Sequence, residues 1–295
     1  MRSTGAMILT FCWLGAAQAA EAPGPGKPLP ADCTAAAPCR VQDGIYLTHV
    51  PAGWDGKHAL PTMLYFHGYH GSAAGEMADP NMIRFSDELG VLLVAPDGID
   101  TAWSFPGSPE QARNDIAYVS AVLDDVERRY PVDRKRLWAS GFSIGSSMVW
   151  YVACDIGTRF AAFGPVAGAF WRPIPQNCPA GPANIRHVHG LADKTMPMAG
   201  RPLRGGKWWQ GDVRQGLAVW QKIDGCAAAP DRVEKQGIMS CEIWDHCSSG
   251  KQLQLCLHPG DHGISTDWLR DDFHWVDGLA RDAKTAEAPG KATTQ

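Results

Sequence analysis

The sequence has no excess of positive charge, and this absence narrows the classes of function that it supports. Its 295 residues include 27 Lys and Arg against 31 Asp and Glu, which gives a formal net charge of −4. A protein that binds a polyphosphate backbone presents a basic surface. Nucleic acid is therefore not an expected partner.

The sequence also has no apolar run of the roughly 20 residues that a membrane-spanning helix needs. Its apolar run at 7–17 follows Arg2, and the small residues of Ala17-Gln18-Ala19 then fit the rule for signal-peptide cleavage. A membrane anchor is the alternative, but the run is too short for one. We predict a signal peptide at 1–19, a secreted or periplasmic location, and no membrane association after cleavage.

Cys-x-x-Cys pairs are absent as well, which argues against a zinc site. Cleavage of the signal peptide would remove Cys12 and leave eight of the nine cysteines, an even number that indicates disulfides in an exported protein. Strands predicted at 238–244 and 251–257 flank a Ser-Ser-Gly turn. Cys241 and Cys256 lie at equal distances from this turn, so they would face each other across the hairpin and could form a bridge. The other pairs are hypotheses among 105 connectivities: Cys33–Cys39, Cys154–Cys178 and Cys226–Cys247.

Apolar strands and amphipathic helices alternate through the middle of the chain. Short apolar runs at 62–66 and 91–95 each end at a turn signal, and Asp79-Pro80 between them offers a helix N-cap and a first-turn proline. Apolar residues recur at helical spacing from Asn114 onward. Repeated β-α units of this length predict an α/β fold with a mostly parallel central sheet and helices on both faces. Composition then predicts a Pro- and Gly-rich leader at 20–40, a single domain at 41–283 and a flexible tail at 284–295.

The strongest signal for chemistry is the pentapeptide Gly141-Phe142-Ser143-Ile144-Gly145. It follows a predicted strand and precedes a predicted helix, which is the setting of a nucleophile elbow. Glycines two residues before and after the serine let a tight turn close, and the helix N-terminus behind it favours developing negative charge. An ordinary strand–helix turn is the alternative. We predict that Ser143 is a nucleophile.

A serine hydroxyl needs a base to take its proton, and the base needs an acid to orient it. On this architecture the acid and then the histidine follow the serine along the chain. Asp193, after a strand predicted at 185–189, is the predicted acid, and His262, in the loop after the last apolar strand, is the predicted base. The alternatives considered are His258, His274, Asp155 and Asp224.

A serine that attacks an acyl group also needs two backbone N–H groups to bind the oxyanion. Ile144, directly after the nucleophile, would supply one, and Tyr69, in the loop after an early strand, would supply the other. Two histidine pairs could instead bind a metal: His67 with His70, and His187 with His189. No cysteine or carboxylate stands at ligand spacing beside either pair, so neither a metal nor a cofactor is predicted.

Six segments of the sequence, taken together, resemble one known family. They are FHGYHGS, NDIAYVSAVLDDVERRYPVD, RLWASGFSIGSSM, PVAG, HVHGLAD and GDHG. In order and spacing, over roughly residues 40–265, they are similar to the polyhydroxybutyrate depolymerase and feruloyl or acetylxylan esterase family. The resemblance implies an α/β-hydrolase fold, ester hydrolysis and secretion. It also implies the triad Ser143, Asp193 and His262 and a Cys226–Cys247 bridge.

The substrate is less well specified than the triad. Trp103, Trp171 and Trp208 fall in predicted loops where they could contact substrate, although packing is equally consistent with each. The cations at 201–207 beside Trp208 form either a rim over the cleft or a solvated loop. The favoured interpretation is a secreted serine esterase that hydrolyses polyhydroxyalkanoate oligomers or related polyesters through an acyl-enzyme. The alternatives are a feruloyl or acetylxylan esterase acting on esterified saccharides, a serine peptidase, and a noncatalytic binding protein on a hydrolase scaffold.

Overall fold

The structure, a computed structural model, describes residues 32–287, which lie within one unit of the chain. Its strands are β1 (Cys39–Val41), β2 (Gly44–His49), β3 (Leu60–Phe66), β4 (Leu92–Pro96), β5 (Val132–Phe142), β6 (Ala162–Val166), β7 (Ile185–Gly190), β8 (Pro202–Leu203), β9 (Trp208–Trp209), β10 (Arg232–Gln236), β11 (Met239–Trp244) and β12 (Leu253–His258). Ten of them form one sheet in the order β1-β2-β4-β3-β5-β6-β7-β12-β11-β10, and β8 pairs with β9 alone.

The centre of the sheet is parallel, and both of its edges are antiparallel. Strands β4, β3, β5, β6, β7 and β12 run in one direction, while β1 and β2 at one edge and β11 and β10 at the other are antiparallel. Every residue of β3 and β4 is buried, as expected for strands that are covered on both faces. The predicted α/β fold with a mostly parallel central sheet is confirmed.

Helices cover both faces of the sheet. They are α1 (Ala73–Ala78), α2 (Pro80–Leu89), α3 (Asp115–Arg129), α4 (Ile144–Ile156), α5 (Val213–Asp224) and α6 (Thr266–Glu287). Helix α2 has the predicted termini: the Asp79 side chain accepts the Asn81 N–H, and Gly90 ends the helix with a left-handed φ of 65°. One apolar cluster packs α3, α4 and α5 against the sheet, and another packs α2 and α6 against its opposite face.

Four disulfides are present, and their pairs are those proposed from the sequence: Cys33–Cys39, Cys154–Cys178, Cys226–Cys247 and Cys241–Cys256. Cys241 and Cys256 face each other directly across β11 and β12. Strand β1 begins at Cys39 and α6 ends at Glu287, so regular structure extends past both predicted limits of the domain. The predicted signal peptide and residues 288–295 of the predicted tail lie outside the described residues. Across 32–287, the structure contains no helix both long and apolar enough to cross a membrane.

Candidate active site

The predicted site residues follow strands that end at the same edge of the sheet. Tyr69 lies after β3, Ser143 after β5, Asp193 after β7 and His262 after β12, and these four strands are parallel. Ligands of open α/β sheets bind at the carboxyl ends of the strands. The topology therefore collects at one edge residues that are far apart in sequence.

The turn at Ser143 is sterically constrained. Ser143 has φ 58° and ψ −121°, a strained conformation of the kind that costs about 1–3 kcal/mol. A Cβ on Gly145 would lie 2.1 Å from the carbonyl oxygen of Phe66, and one on Gly141 would lie 2.8 Å from the carbonyl oxygen of Gly145. The chain can pack this closely only because both positions are glycine. The turn thus has the form of the nucleophile elbow that the sequence predicts.

Asp193 and His262 form a hydrogen-bonded pair. His262 Nδ1–H donates to Asp193 Oδ2 at 2.7 Å, and the Asp193 side chain is fully buried. Asp193 Oδ1 accepts the backbone N–H groups of Thr195 at 2.8 Å and Met196 at 2.7 Å, which hold the carboxylate in position. Because Nδ1 of His262 is occupied, its Nε2 is the nitrogen that remains to accept a proton.

The His262 ring lies beside the elbow. Its centroid is 4.6 Å from that of Phe142, the residue directly before Ser143. Among the hydrogen bonds of the described residues, none joins the Ser143 hydroxyl to His262. Such bonds are often long in free enzymes and shorten when substrate binds. The structure therefore brings acid and base together and places the base next to the serine turn.

Asp261 joins two loops of the site, although it was not among the predicted site residues. Its carboxylate accepts the backbone N–H groups of His262 at 2.7 Å and Lys194 at 3.2 Å. These donors lower the pKa of Asp261, so the carboxylate is ionised at neutral pH. The loop that carries the histidine is thereby attached to the loop that follows Asp193. A carboxylate directly before the histidine was the visible signal for this role.

The loop after β3 passes against the serine. A Cβ on Gly68 would lie 3.7 Å from Ser143 Cβ and 3.2 Å from the Phe142 ring. Ile144 begins α4, so its N–H has no acceptor within the helix and lies at the positive end of the helix dipole. The Tyr69 side chain is 57% exposed, and none of the described residues accepts a hydrogen bond from its backbone N–H. The role of these two N–H groups as an oxyanion hole stays a prediction.

His67 supports this loop from within the core. Its Nδ1–H donates to the carbonyl oxygen of Gly68 at 2.9 Å, and its Nε2 accepts the N–H of Gly98 at 3.0 Å. The ring is fully buried and lies 4.8 Å from that of Trp103. Both ring nitrogens are occupied by backbone, so His67 is a structural residue and not half of a metal-binding pair.

Two of the three predicted substrate contacts need correction. Trp103 is fully buried, and its indole N–H donates to the His67 carbonyl oxygen at 2.9 Å. Trp171 is 3% exposed, and its indole N–H donates to Ser147 Oγ at 3.2 Å. Neither side chain offers a ring face to a ligand, because packing and a buried hydrogen bond hold each of them in the core. Trp208 is partly exposed and remains a predicted contact.

The second histidine pair packs behind the acid. His189 Nε2–H donates to the Met196 carbonyl oxygen at 2.7 Å and lies 3.6 Å from Asp193 Oδ2, while His187 Nε2–H donates to His189 Nδ1 at 3.0 Å. Burial lowers the pKa of both rings, so both are neutral at neutral pH. Within residues 32–287, three potential metal ligands meet only at Asp231, Asp245 and His246, outside either predicted pair.

The other candidates for acid and base have different surroundings. His258 stacks on Trp268 at 4.5 Å and accepts the Gly260 N–H through Nδ1. His274 is exposed on α6, and Asp155 is exposed near the end of α4. Asp224 is buried at the end of α5, where it accepts the Ala183 N–H. Asp193 is the carboxylate that contacts the ring of His262.

Feruloyl esterases are among the known proteins to which the sequence is similar, although no protein-family model matches the chain. Feruloyl esterase B of Piromyces equi is 25% identical over 76% of this chain and 43% of its own length. A probable feruloyl esterase C of Aspergillus terreus is 25% identical over 61% of this chain and 66% of its own length. The chain thus spans less than two thirds of each of these relatives.

The fold is shared with a solved structure of an esterase. The structure of an acetyl xylan esterase from Aspergillus awamori covers 80% of this chain with a TM-score of 0.62 at 15% identity, and 94% of that structure is matched. The α/β-hydrolase fold and the resemblance to feruloyl and acetylxylan esterases are confirmed, while a relation to polyhydroxybutyrate depolymerases stays a prediction. The chain therefore has the α/β-hydrolase fold and is similar in sequence to feruloyl esterases.

Proposed function

We propose that this protein is an exported serine carboxylic ester hydrolase that acts on esters of plant polysaccharides, as feruloyl and acetylxylan esterases do. The observation that carries the proposal is the Asp193–His262 hydrogen bond of 2.7 Å beside a strained serine elbow. A buried carboxylate, an oriented imidazole and a serine at the start of a helix are the parts of a serine hydrolase site. The relatives favour polysaccharide esters over the polyhydroxyalkanoate oligomers that the sequence first suggested.

The proposed mechanism assigns one role to each group. His262 Nε2 takes the Ser143 hydroxyl proton as Oγ attacks the ester carbonyl, and the N–H groups of Tyr69 and Ile144 bind the oxyanion. The intermediate collapses to an acyl-enzyme, and the alcohol leaves with the proton held by His262. Water, activated by the same ring, then releases the acid and restores the serine. Asp193 keeps Nδ1 protonated and stabilises the charged imidazole.

Export is part of the proposal. Four disulfides are typical of proteins that fold in an oxidising compartment. The apolar run at 7–17 would direct the chain there, and cleavage after Ala19 would precede folding of the single catalytic domain.

An ester panel with a Ser143→Ala variant tests the proposal. We expect turnover of feruloylated and acetylated xylo-oligosaccharides by the native protein, and a loss of kcat of roughly 10⁴-fold or more in the variant with its stability retained. Retained activity in Ser143→Ala would refute the assignment. Hydroxybutyrate oligomers and peptide anilides in the same panel separate a polyesterase and a peptidase from the proposed enzyme. Failure of a fluorophosphonate probe to label the native protein would favour a noncatalytic binding protein.

A further inference from the structure

A short hairpin near the site carries unpaired cations in a protein whose net charge is −4. We use the name cationic hairpin for residues 201–209, which comprise β8, a single 3₁₀ turn at Arg204–Gly206 and β9. Arg201, Arg204 and Lys207 are all exposed on it. Arg172, also exposed, lies against it.

The charge of this region is of one sign. No Asp or Glu occurs between Lys194 and Gly211. Eleven other arginines of the described residues form ion pairs, but Arg172, Arg201, Arg204 and Lys207 form none with any described residue. Like charges on so short a segment repel one another, so packing alone does not explain the cluster.

Three of these four cations lie over aromatic rings, while Arg201 donates to Gln210 Oε1 at 3.3 Å. Arg204 and Lys207 lie over the ring of Trp208, at 5.6 Å and 4.4 Å from its centroid, and Arg172 lies 5.3 Å from the centroid of Trp209. Cations within about 6 Å of an indole centroid are attracted to it. Stacking orders a guanidinium and leaves the N–H groups at its edge free, and those groups match a carboxylate.

Hydrogen bonds connect the cationic hairpin to the serine turn. The Arg172 N–H donates to the Trp209 carbonyl oxygen at 2.9 Å, and the preceding residue, Trp171, donates its indole N–H to Ser147 Oγ in the first turn after Ser143. The same segment begins at Gly168, where a Cβ would lie 2.6 Å from the Ser143 carbonyl oxygen. The cationic hairpin is therefore joined, through Arg172 and Trp171, to the first turn of the helix that begins directly after Ser143.

We propose that the cationic hairpin binds a carboxylate of the substrate, and that the preferred substrates are esters of acidic saccharides that contain uronic acid residues. This inference rests on the proposed function. A uronic acid ring combines an anionic group for Arg204 and Lys207 with apolar C–H faces that can pack on indole rings. Trp209 is 39% exposed, and Trp208 is partly exposed, so both present ring surface beside the charges.

Matched substrates test the inference. We would measure kcat/KM for a feruloylated or acetylated oligosaccharide that contains glucuronic acid, and for the same compound with the carboxylate converted to its amide. We expect the native protein to prefer the acid, with a preference that weakens as salt increases. The Arg204→Gln/Lys207→Gln double variant should reduce the acid-to-amide ratio by about 3- to 10-fold, mainly through KM.

A control variant and a binding measurement separate failure of this inference from failure of the esterase proposal. Lys57→Gln removes an exposed cation outside the cationic hairpin and should leave the ratio unchanged. Titration of the uronate oligosaccharide into Ser143→Ala, with and without the double substitution, measures binding even if no ester is turned over. Equal treatment of acid and amide, or equal binding in both backgrounds, would overturn the inference while leaving the esterase proposal intact. A carboxylate effect seen with hydroxybutyrate oligomers and not with uronates would overturn the assignment to saccharides.

Discussion

At the scale of single residues, glycines allow the chain to approach Ser143. Two lie in the elbow, and the third, Gly168, follows β6 at a point where a Cβ would meet the backbone of the serine. At each of the three positions the clash would include a main-chain oxygen, which cannot move aside as the end of a long side chain can. The G-x-S-x-G pattern therefore reflects sterics, and it is visible in the sequence because no other residue type satisfies them.

Asp224 is a single buried carboxylate that should make stability depend on pH. Its side chain is fully buried, Oδ1 accepts the Ala183 N–H, and Oδ2 has no hydrogen-bond partner among the described residues. Burial raises the pKa of Asp224 to about 7, against about 4 in an unfolded chain. The folded state therefore keeps a proton that the unfolded state releases above about pH 4.

The sign of the effect follows from these two pKa values. The stability that Asp224 contributes to the folded state is fully present below about pH 4. Above that pH the free energy of unfolding falls, by up to about 1.4 kcal/mol per pH unit, until the pH reaches about 7. We expect Asp224→Asn to remove this part of the pH dependence. From pH 4 to pH 7 the native protein should therefore lose stability relative to the variant. Urea unfolding at several pH values measures it. Parallel stability curves for the two proteins would contradict the prediction.

At the scale of elements, a buried ion pair attaches α6 to the sheet. Arg186 on β7 donates to Asp272 on α6 at 2.7 Å, and both side chains are 1% exposed. Gly164 on β6 makes room for the contact, since a Cβ there would lie 2.1 Å from Asp272 Oδ2. Burial raises the pKa of Asp272 to about 6 despite the guanidinium. Such a pair adds little net stability, but removing one partner leaves a buried charge without compensation.

We therefore expect Arg186→Met to be strongly destabilising. The loss should be about 3–5 kcal/mol, because Asp272 must then either stay ionised in the core or take up a proton. The matched control is Arg281→Met, which breaks an ion pair with Asp277 on the exposed side of the same helix and should cost about 1 kcal/mol or less. Denaturant unfolding of the two variants measures both losses. Similar losses of stability in the two variants would show that burial of the Arg186–Asp272 pair does not determine the cost of breaking it.

The elements that could be predicted are those whose signal is local. The apolar runs of β3 and β4 and the caps of α2 at Asp79 and Gly90 are visible in the sequence and occur in the structure. Strand β10 could not be predicted, because four of its five residues are exposed and it carries charges of both signs. An edge strand of this kind is defined by its pairing with β11, which no local pattern records.

At the scale of the whole molecule, the order of residues along the chain was enough to predict the catalytic residues. It was not enough to predict the residues that pack around them. Asp193 and His262 could be chosen because each follows a strand, and the topology brings such positions to one edge. The burial of Trp103 and the loop contact made by Asp261 depend on segments that are distant in sequence. Loop composition alone therefore overestimated how many tryptophans face a ligand.

The disulfides differ in the length of chain that lies between the two cysteines. Cys154–Cys178 connects the end of α4, the helix that begins after Ser143, to the segment before β7, across 24 residues of sequence. Cys33–Cys39 spans only six residues at the edge of the sheet. In the chain-entropy model, a bridge stabilises the folded state more when it closes a longer loop in the unfolded chain.

Removal of each bridge should therefore have an unequal effect on the whole domain. We expect Cys154→Ala/Cys178→Ala to lower the free energy of unfolding by about 3 kcal/mol, and Cys33→Ala/Cys39→Ala by about 2 kcal/mol. For a domain of this size the first loss corresponds to a fall in Tm of roughly 6–12 °C. Thermal unfolding of both double variants without reductant measures the order. A larger loss from the shorter loop would mean that packing around Cys33 and Cys39, and not loop closure, determines what the bridges contribute to the stability of the domain.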